Sequence, residues 1–352
     1  MGNYEIKFVN DVPEADLHAF FTEAFNKEKA DFLVQYSDWW HRNSKARFVA
    51  IDTDKQIPVG YSALISSQVA INGKREDIYW LVDVMVLNTY RGQGIQRLVD
   101  EEIQKEQRIR IGFPNELASK IHRKHGWGVR VDGYRWQYTL SLRANSKLRF
   151  YPGLIGKALR AVAKLTTPLY QRYRVNQVGQ RQSSNVQLLE EPNAEDLGHI
   201  FLNHHPQPHQ ITTYRDADFI QWRYLDAPYR SDLRFYTASQ HDKPVLAMIT
   251  RELTVKGLRT LRILDLFGNL DYTEGLQNLI HQAQLDAIEH QIEELIIVVT
   301  AFELTSALEH AGFTQRDIVT FCWLSDNPED MQRIEVCSPY WTFTDSDLDY
   351  SF

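Results

Sequence analysis

The chain has only two cysteines, Cys322 and Cys337, among 352 residues. A disulfide framework is therefore excluded, and a reducing compartment is the expected setting. No uncharged apolar run approaches membrane-spanning length, and the first residues, MGNYEIKFVN, have no signal core and no Ser or Thr at position 6 for myristoylation. The protein reads as cytoplasmic. Positive charge is not in excess either: the net charge of −7 and pI near 6.0 argue against a general nucleic-acid binder. Neither G-x-G-x-x-G nor G-x-x-x-x-G-K-[ST] occurs, which disfavours a dinucleotide site and a P-loop. What is present is the composition of a folded protein, 43% hydrophobic and 24% charged, at a length suited to two domains.

Two copies of one unit are visible in the sequence. Asp31, Phe32, Arg47 and Phe48 recur as Asp218, Phe219, Arg234 and Phe235 at a spacing of 187, and Gly126 recurs as Gly312 at 186. Each copy alternates strand and helix patterns, so the expected fold is mixed α/β, two domains each with a central β-sheet flanked by helices. The expected boundaries are 1–142, a linker at 143–185, and 186–352. That linker holds nine Lys and Arg and no acid. Its readings are a helix packed between domains with a solvated basic face, a membrane-surface helix over 147–174, or a dock for an acidic partner.

The sharpest motif is LVDVMVLNTYRGQGIQRLVDEEI. A buried strand, Leu81 to Leu87, runs through a short loop into an amphipathic helix at Gln96. Gly92 and Gly94 let the backbone turn tightly, leaving successive N–H groups and a helix N-terminus aimed at one point, with Arg91 beside them. That arrangement accepts a phosphate.

YRGQGI after a V-x-V strand resembles the pyrophosphate-binding motif of the GNAT acyl-CoA N-acyltransferase superfamily, with Gln96 where a small residue is usual. PNELASKIHRKHGW resembles the later segment of that superfamily, Asn115, Gly126 and Trp127 fitting and His122 standing where a Tyr is usual. The resemblance covers the first copy throughout. It implies that Val84, Met85 and Val86 present backbone to the pantetheine arm of acetyl-CoA, that Arg91, Gly92, Gln93, Gly94, Ile95 and Gln96 hold the pyrophosphate, and that Asn115 contacts the CoA. It further implies an acetyltransferase that passes an acyl group directly to the primary amine of a small acceptor, without a covalent enzyme intermediate and without a metal. His122 is the candidate to protonate the leaving thiolate, or else a surface histidine at a basic helix end. Asp83 is the candidate base or ammonium anchor, or else a carboxylate paired with a neighbour.

In the second copy the corresponding loop is LFGNLDYTEGLQNL, with Asp271 and Glu274 where phosphates need donors. That copy reads as degenerate. His204, His205 and His209 in one loop read as surface residues rather than a metal site, and Trp39, Trp40, Trp222, Tyr224 and Tyr229 as packing. The ending YWTFTDSDLDYSF resembles that of tandem GNAT proteins of polysaccharide loci, which implies a role for Asp345 and Asp347 in receiving a cationic or amino-sugar substrate. The competing readings are a Fem-type transferase using aminoacyl-tRNA, a mycothiol-synthase-like transferase, and a non-catalytic acyl-CoA-binding scaffold.

Overall fold

In the computed structural model, residues 3–346 are described except for 43, 107, 145–157, 159, 160, 164, 168, 171, 172, 174–184, 206 and 256. Two compact units emerge: residues 1–130 with 320–337 and 346–352, and residues 131–319 with 338–345. These differ from the expected sequence halves, and the reason lies in strand pairing.

In the first unit β1 (Tyr4–Phe8), β2 (Arg47–Asp52), β3 (Ile57–Ile71) and β4 (Lys74–Val86) form an antiparallel meander. β2 is buried throughout and β3 nearly so, because helices cover both faces of the sheet and the strands read as continuous apolar runs instead of alternating ones. On one face lie α1 (Glu14–Ala24), α2 (Lys27–Gln35) and the short α3 (Ser37–Trp40). Phe21 of α1 meets the Tyr61 ring edge-on at 4.9 Å. On the other face lies α4 (Ile95–Ile103), which buries Ile95, Val99 and Ile103 at four-residue spacing. Gly60 is what lets α4 dock, since a Cβ there would lie 2.8 Å from Ile95 Cγ2. β5 (Ile109–Gly112) then pairs parallel with β4, and α5 (Glu116–Lys124) follows, capped by the Asn115 side chain. The strand beyond β5 comes from far along the chain: Leu324, Trp323 and Cys322 of β13 (Thr314–Leu324) pair with Arg110, Ile111 and Gly112. α10 (Pro328–Glu335) also belongs to this unit.

The second unit reciprocates. From Val131 on, β6 (Gly128–Thr139) pairs antiparallel with β12 (Glu294–Val299), so its sheet begins with a strand from the first repeat. The order continues through β11 (Leu258–Gly268), β10 (Lys243–Val255), β9 (Leu233–Gln240) and β7 (Val186–Leu188), while β8 (Gln210–Thr213) pairs with β14 (Ser338–Tyr340). α6 (Ala194–Leu202), α7 (Ala217–Ile220), α8 (Thr273–Glu289) and α9 (Phe302–His310) complete it. The basic stretch 143–185, and with it the membrane face expected over 147–174, lies for the most part outside the described residues. No helix among the described residues is long and apolar enough to cross a membrane.

The core of the second unit contains a fully buried ionic knot. Arg215 donates through Nε to Asp265 Oδ2 at 2.7 Å and through Nη2 to Asp345 Oδ2 and Thr342 Oγ1, both at 2.9 Å. Tyr224 donates to the same Asp265 oxygen at 2.5 Å. Burial works against the Arg215 charge, but Asp265 and Asp345 outweigh it and hold the guanidinium more firmly protonated than usual. Burial raises the pKa of Asp345, against the pull of Arg215. Removing one partner of such a cluster leaves buried charge uncompensated, so Arg215→Leu should cost about 3–5 kcal/mol of unfolding free energy. Urea unfolding followed by tryptophan fluorescence checks this, and a loss under about 1 kcal/mol would show that the knot is not holding the tail to the sheet.

Candidate acyl-donor site

Strands β4 and β5 run together only over Ile78–Trp80 and Ile109–Ile111. Beyond Trp80, β4 continues to Val86 with no β5 partner, so its edge is open along Leu81–Val86. The cause of the fork is a bulge: Tyr61 opposes Met85 but Ala63 opposes Val82, so one extra residue is accommodated in β4. At the bulge Asp83 adopts φ +55°, a left-handed conformation uncommon for a residue with a side chain. Val84, Met85 and Val86 are half-buried along the open edge.

Asp83 owes its position to ion pairing. Its side chain is fully buried, with Lys29 Nζ 2.5 Å from Oδ1, and Trp40 Nε1 donates to Oδ2 at 3.3 Å. Of the two readings of Asp83, the geometry matches the paired carboxylate. Beside it, His41 is buried, its Nδ1 2.9 Å from Ser37 O and its Nε2 3.4 Å from the Tyr61 hydroxyl. Burial lowers the His41 pKa to about 4, the Asp83 charge opposing the shift. Lys29, Trp40, His41 and Tyr61 escape sequence reasoning because their common feature is proximity to Asp83, and their spacing makes no motif.

After β4 the chain makes a short 3₁₀ turn at Asn88–Tyr90 and reaches the glycine loop. Gly92 and Gly94 have φ of +79° and +81°, values that glycine adopts at no steric cost. Gly94 is the N-cap of α4, so the first-turn N–H groups have no intrahelical acceptor and face the loop. Arg91 folds back, Nε donating to Val86 O at 3.2 Å, which sets its charge at the end of the open β4 edge. Gln93 is steadied by a hydrogen bond from Tyr4 and by donating to Thr89 O at 3.3 Å. Gln96, the departure from the small residue of the motif, donates its amide to Asp100 Oδ1 at 2.8 Å, one turn down the helix and away from the loop. Ile95 points into the core.

The Asn115 side-chain oxygen accepts from Ala118 N at 2.9 Å and caps α5, which leaves its NH₂ for other contacts. His122 is half-buried on α5, its ring 4.6 Å from that of Trp127. Burial, with His125 adding, lowers its pKa to about 4. At neutral pH its imidazole is uncharged, which suits a proton acceptor or a neutral N–H donor better than the imidazolium acid expected from sequence.

The remaining sequence candidates lie in the second unit. Asp345 is fully buried against Arg215, so the expected substrate carboxylate is instead spent on the core, where no solvent or ligand reaches it. Asp347 lies outside the described residues. His205 is not a surface residue: its ring stacks between Phe201 and Tyr340 at 5.1 and 4.8 Å, and burial lowers its pKa to about 4. No group of metal-binding side chains occurs among the described residues. At the N-terminus of α8, the ring of Tyr272 lies where a Cβ on Gly275 would stand, 2.3 Å away, and its hydroxyl accepts from Asn185 Nδ2 at 2.8 Å. An aromatic ring thus packs against the first turn of α8.

An open strand edge leading to a left-handed glycine turn and a helix N-terminus is an arrangement suited to an extended, phosphorylated ligand held on backbone groups. Residues 5–130 match the family model of the acetyltransferase (GNAT) domain. By this match the segment is similar to GNAT acetyltransferase domains, which supports N-acyltransfer as the chemistry. A search of curated proteins finds no match. Among solved structures, the chain is similar to Saccharomyces cerevisiae N-myristoyltransferase with bound myristoyl-CoA, at 10% identity and a TM-score of 0.62, covering 92% of this chain and 78% of that one. A GCN5-related N-acetyltransferase from Anabaena variabilis gives 14% identity and a TM-score of 0.60, covering 92% and 73%. An Enterococcus faecalis conserved protein of unknown function, described as a probable N-acyltransferase, gives 11% and 0.59, covering 92% and 72%. These likenesses extend over both units and establish a shared fold.

The depressed pKa of His41 makes stability acid-sensitive. Below pH 6.5 the unfolded chain gains a proton on this residue that the folded chain refuses until about pH 4, so stability falls as pH falls through that window. Between pH 7 and pH 5 this one group should cost about 2 kcal/mol. Unfolding free energies at the two pH values should show a flatter dependence in His41→Gln by about that amount, and parallel wild-type and variant curves would refute the assignment.

Proposed function

We propose that the protein transfers an acetyl or longer acyl group from acyl-CoA to the primary amine of a small polar acceptor, with an amino sugar as the leading candidate. The observation that carries this reading is the open edge of β4, which ends at Arg91 and the Gly92–Gly94 turn. In this reading the backbone of Val84, Met85 and Val86 receives the pantetheine arm. Arg91, Gly92, Gln93, Gly94, Ile95 and Gln96 surround the pyrophosphate, and the free NH₂ of Asn115 reaches the CoA. The amine nitrogen bonds to the thioester carbonyl carbon, the carbon–sulfur bond breaks, and the amine proton leaves as the thiolate acquires one. His122, neutral at working pH, takes or relays a proton. Asp83, fixed by Lys29, acts as a positioning group through its field at the bulge. The first repeat carries the donor site and the second a supporting role. Two buried, unbridged thiols suit a cytoplasmic setting. The likeness to an N-myristoyltransferase makes a long-chain donor worth testing beside acetyl-CoA.

Thermal unfolding with acetyl-CoA and with myristoyl-CoA, on wild type and Gly94→Glu, tests the donor site. A ligand at about 100 times its dissociation constant adds roughly 2.7 kcal/mol to native stability. The wild-type midpoint should rise, and Gly94→Glu, which sets a carboxylate at the helix N-terminus, should abolish the rise. A shift that persists in the variant would remove the cosubstrate from this loop. No shift with either donor would favour the aminoacyl-tRNA reading. If the donor binds but His122→Ala and Asp83→Asn leave every acyl-transfer rate unchanged, their roles are wrong.

A further inference from the structure

On the α1–α2 side of the first unit lies a cavity of about 380 Å³. Leu17, Phe21, Leu33 and Trp39 supply apolar wall, and Arg47 lines it together with Asn10 and Ser37. It shares no lining residue with the turn at 91–96.

Arg47 is the unusual element. Its side chain is only 7% exposed, yet its close partners are neutral: Nη1 donates to Ser37 Oγ, and Nη2 donates to Asn10 Oδ1 at 3.1 Å. Among the described residues the one carboxylate within ion-pair range is Asp38, at 3.9 Å with a side chain 81% exposed. An ion pair with so exposed a partner is largely screened by water. Of the buried carboxylates of this unit, Asp83 is already paired with Lys29 and Asp52 accepts from the Tyr90 hydroxyl. A guanidinium taken out of water among neutral dipoles carries an uncompensated desolvation cost. Its planar fork fits a two-oxygen anion, and the adjoining cavity gives that anion room. Glu14 and Asp38 also line the cavity and are exposed. Two negative charges there oppose a dianion more than a monoanion.

We propose that this cavity binds a small organic carboxylate, its charged end on Arg47 and an apolar body against Leu17, Phe21, Leu33 and Trp39. The inference is independent of the acyl-donor reading, since the site is complete without the glycine loop.

Phenylacetate serves as the probe, titrated by calorimetry or ligand-observed NMR into the full-length protein without acyl-CoA, with benzyl alcohol and phenyl phosphate as neutral and dianionic counterparts. Saturable binding is expected, with a dissociation constant on the order of 1 mM for so small a molecule. It should persist in Gly94→Glu, so failure of the donor site leaves this result standing, and weaken by about tenfold or more in Arg47→Gln. Benzyl alcohol should not compete, and phenyl phosphate should bind more weakly than phenylacetate. No saturable binding, equal binding by Arg47→Gln, or preference for phenyl phosphate overturns the proposal. Should Arg47→Gln not fold, Val34→Phe, which fills the cavity from its half-buried edge, replaces it. Folded Val34→Phe protein that still binds phenylacetate with wild-type affinity also overturns it.

Discussion

A buried carboxylate on the central strand, neutralised by a cation from the chain segment before β2 or its counterpart, is the constraint around which each unit is arranged. In the first unit Asp83 meets Lys29 and the Trp40 indole. In the second, Asp265 meets Arg215 and the Tyr224 hydroxyl. The chemistry is the same in each, a carboxylate on the strand after a β-hairpin, a cation, and an aromatic donor. Both strands carry a register shift close to the acid. A carboxylate in the interior is tolerated only when paired, so each ion pair ties the chain segment that carries the cation to the sheet.

For the donor site the bulge has a direct consequence. It swings β4 off β5 after Trp80 and leaves the edge of Leu81–Val86 that faces away from β3 without a β5 partner. Arg91 then folds over Val86 O, and the glycine turn aims the α4 N-terminus at the same end. The fork, the cation and the helix dipole are thus placed by one local irregularity, and Gly60 allows α4 close enough to share in it.

Much of this was legible in the sequence, and the exceptions have physical causes. The strand–glycine turn–helix segment was readable because each step is local: an apolar run, two glycines and a four-residue apolar stripe. Pairing partners were not readable, because the exchanged ends of β6 and β13 follow the same apolar pattern whichever sheet receives them. Arg47 and Arg234, aligned by spacing, face different layers: Arg47 lines a cavity with α1 residues, whereas Arg234 lies against Asp286 and His290 at the end of α8. A slip of one residue in a strand exchanges its two faces, and spacing alone does not reveal it. His205 reads as a surface group in a polar loop and Asp345 as a substrate carboxylate in the acidic ending, whereas both are buried in the unit where β14 pairs with β8.

The two ionic clusters differ in how completely they are tied together. Asp83 has one ammonium partner, itself 12% exposed, and a long indole contact. Asp265 and Asp345 share a guanidinium that is also bonded to Thr342 and Thr213, all of it out of reach of water. The denser knot lies in the unit where Tyr272 packs against the first turn of α8. The sparser one underlies the open strand edge. Local stability is set by how completely buried polar groups are tied together, and binding elements are drawn from the less tightly tied parts of a fold. The first unit accordingly holds its bulge with one aspartate in a left-handed conformation and one lysine, and the second ties its strand to the segment after β14 through two aspartates and a guanidinium.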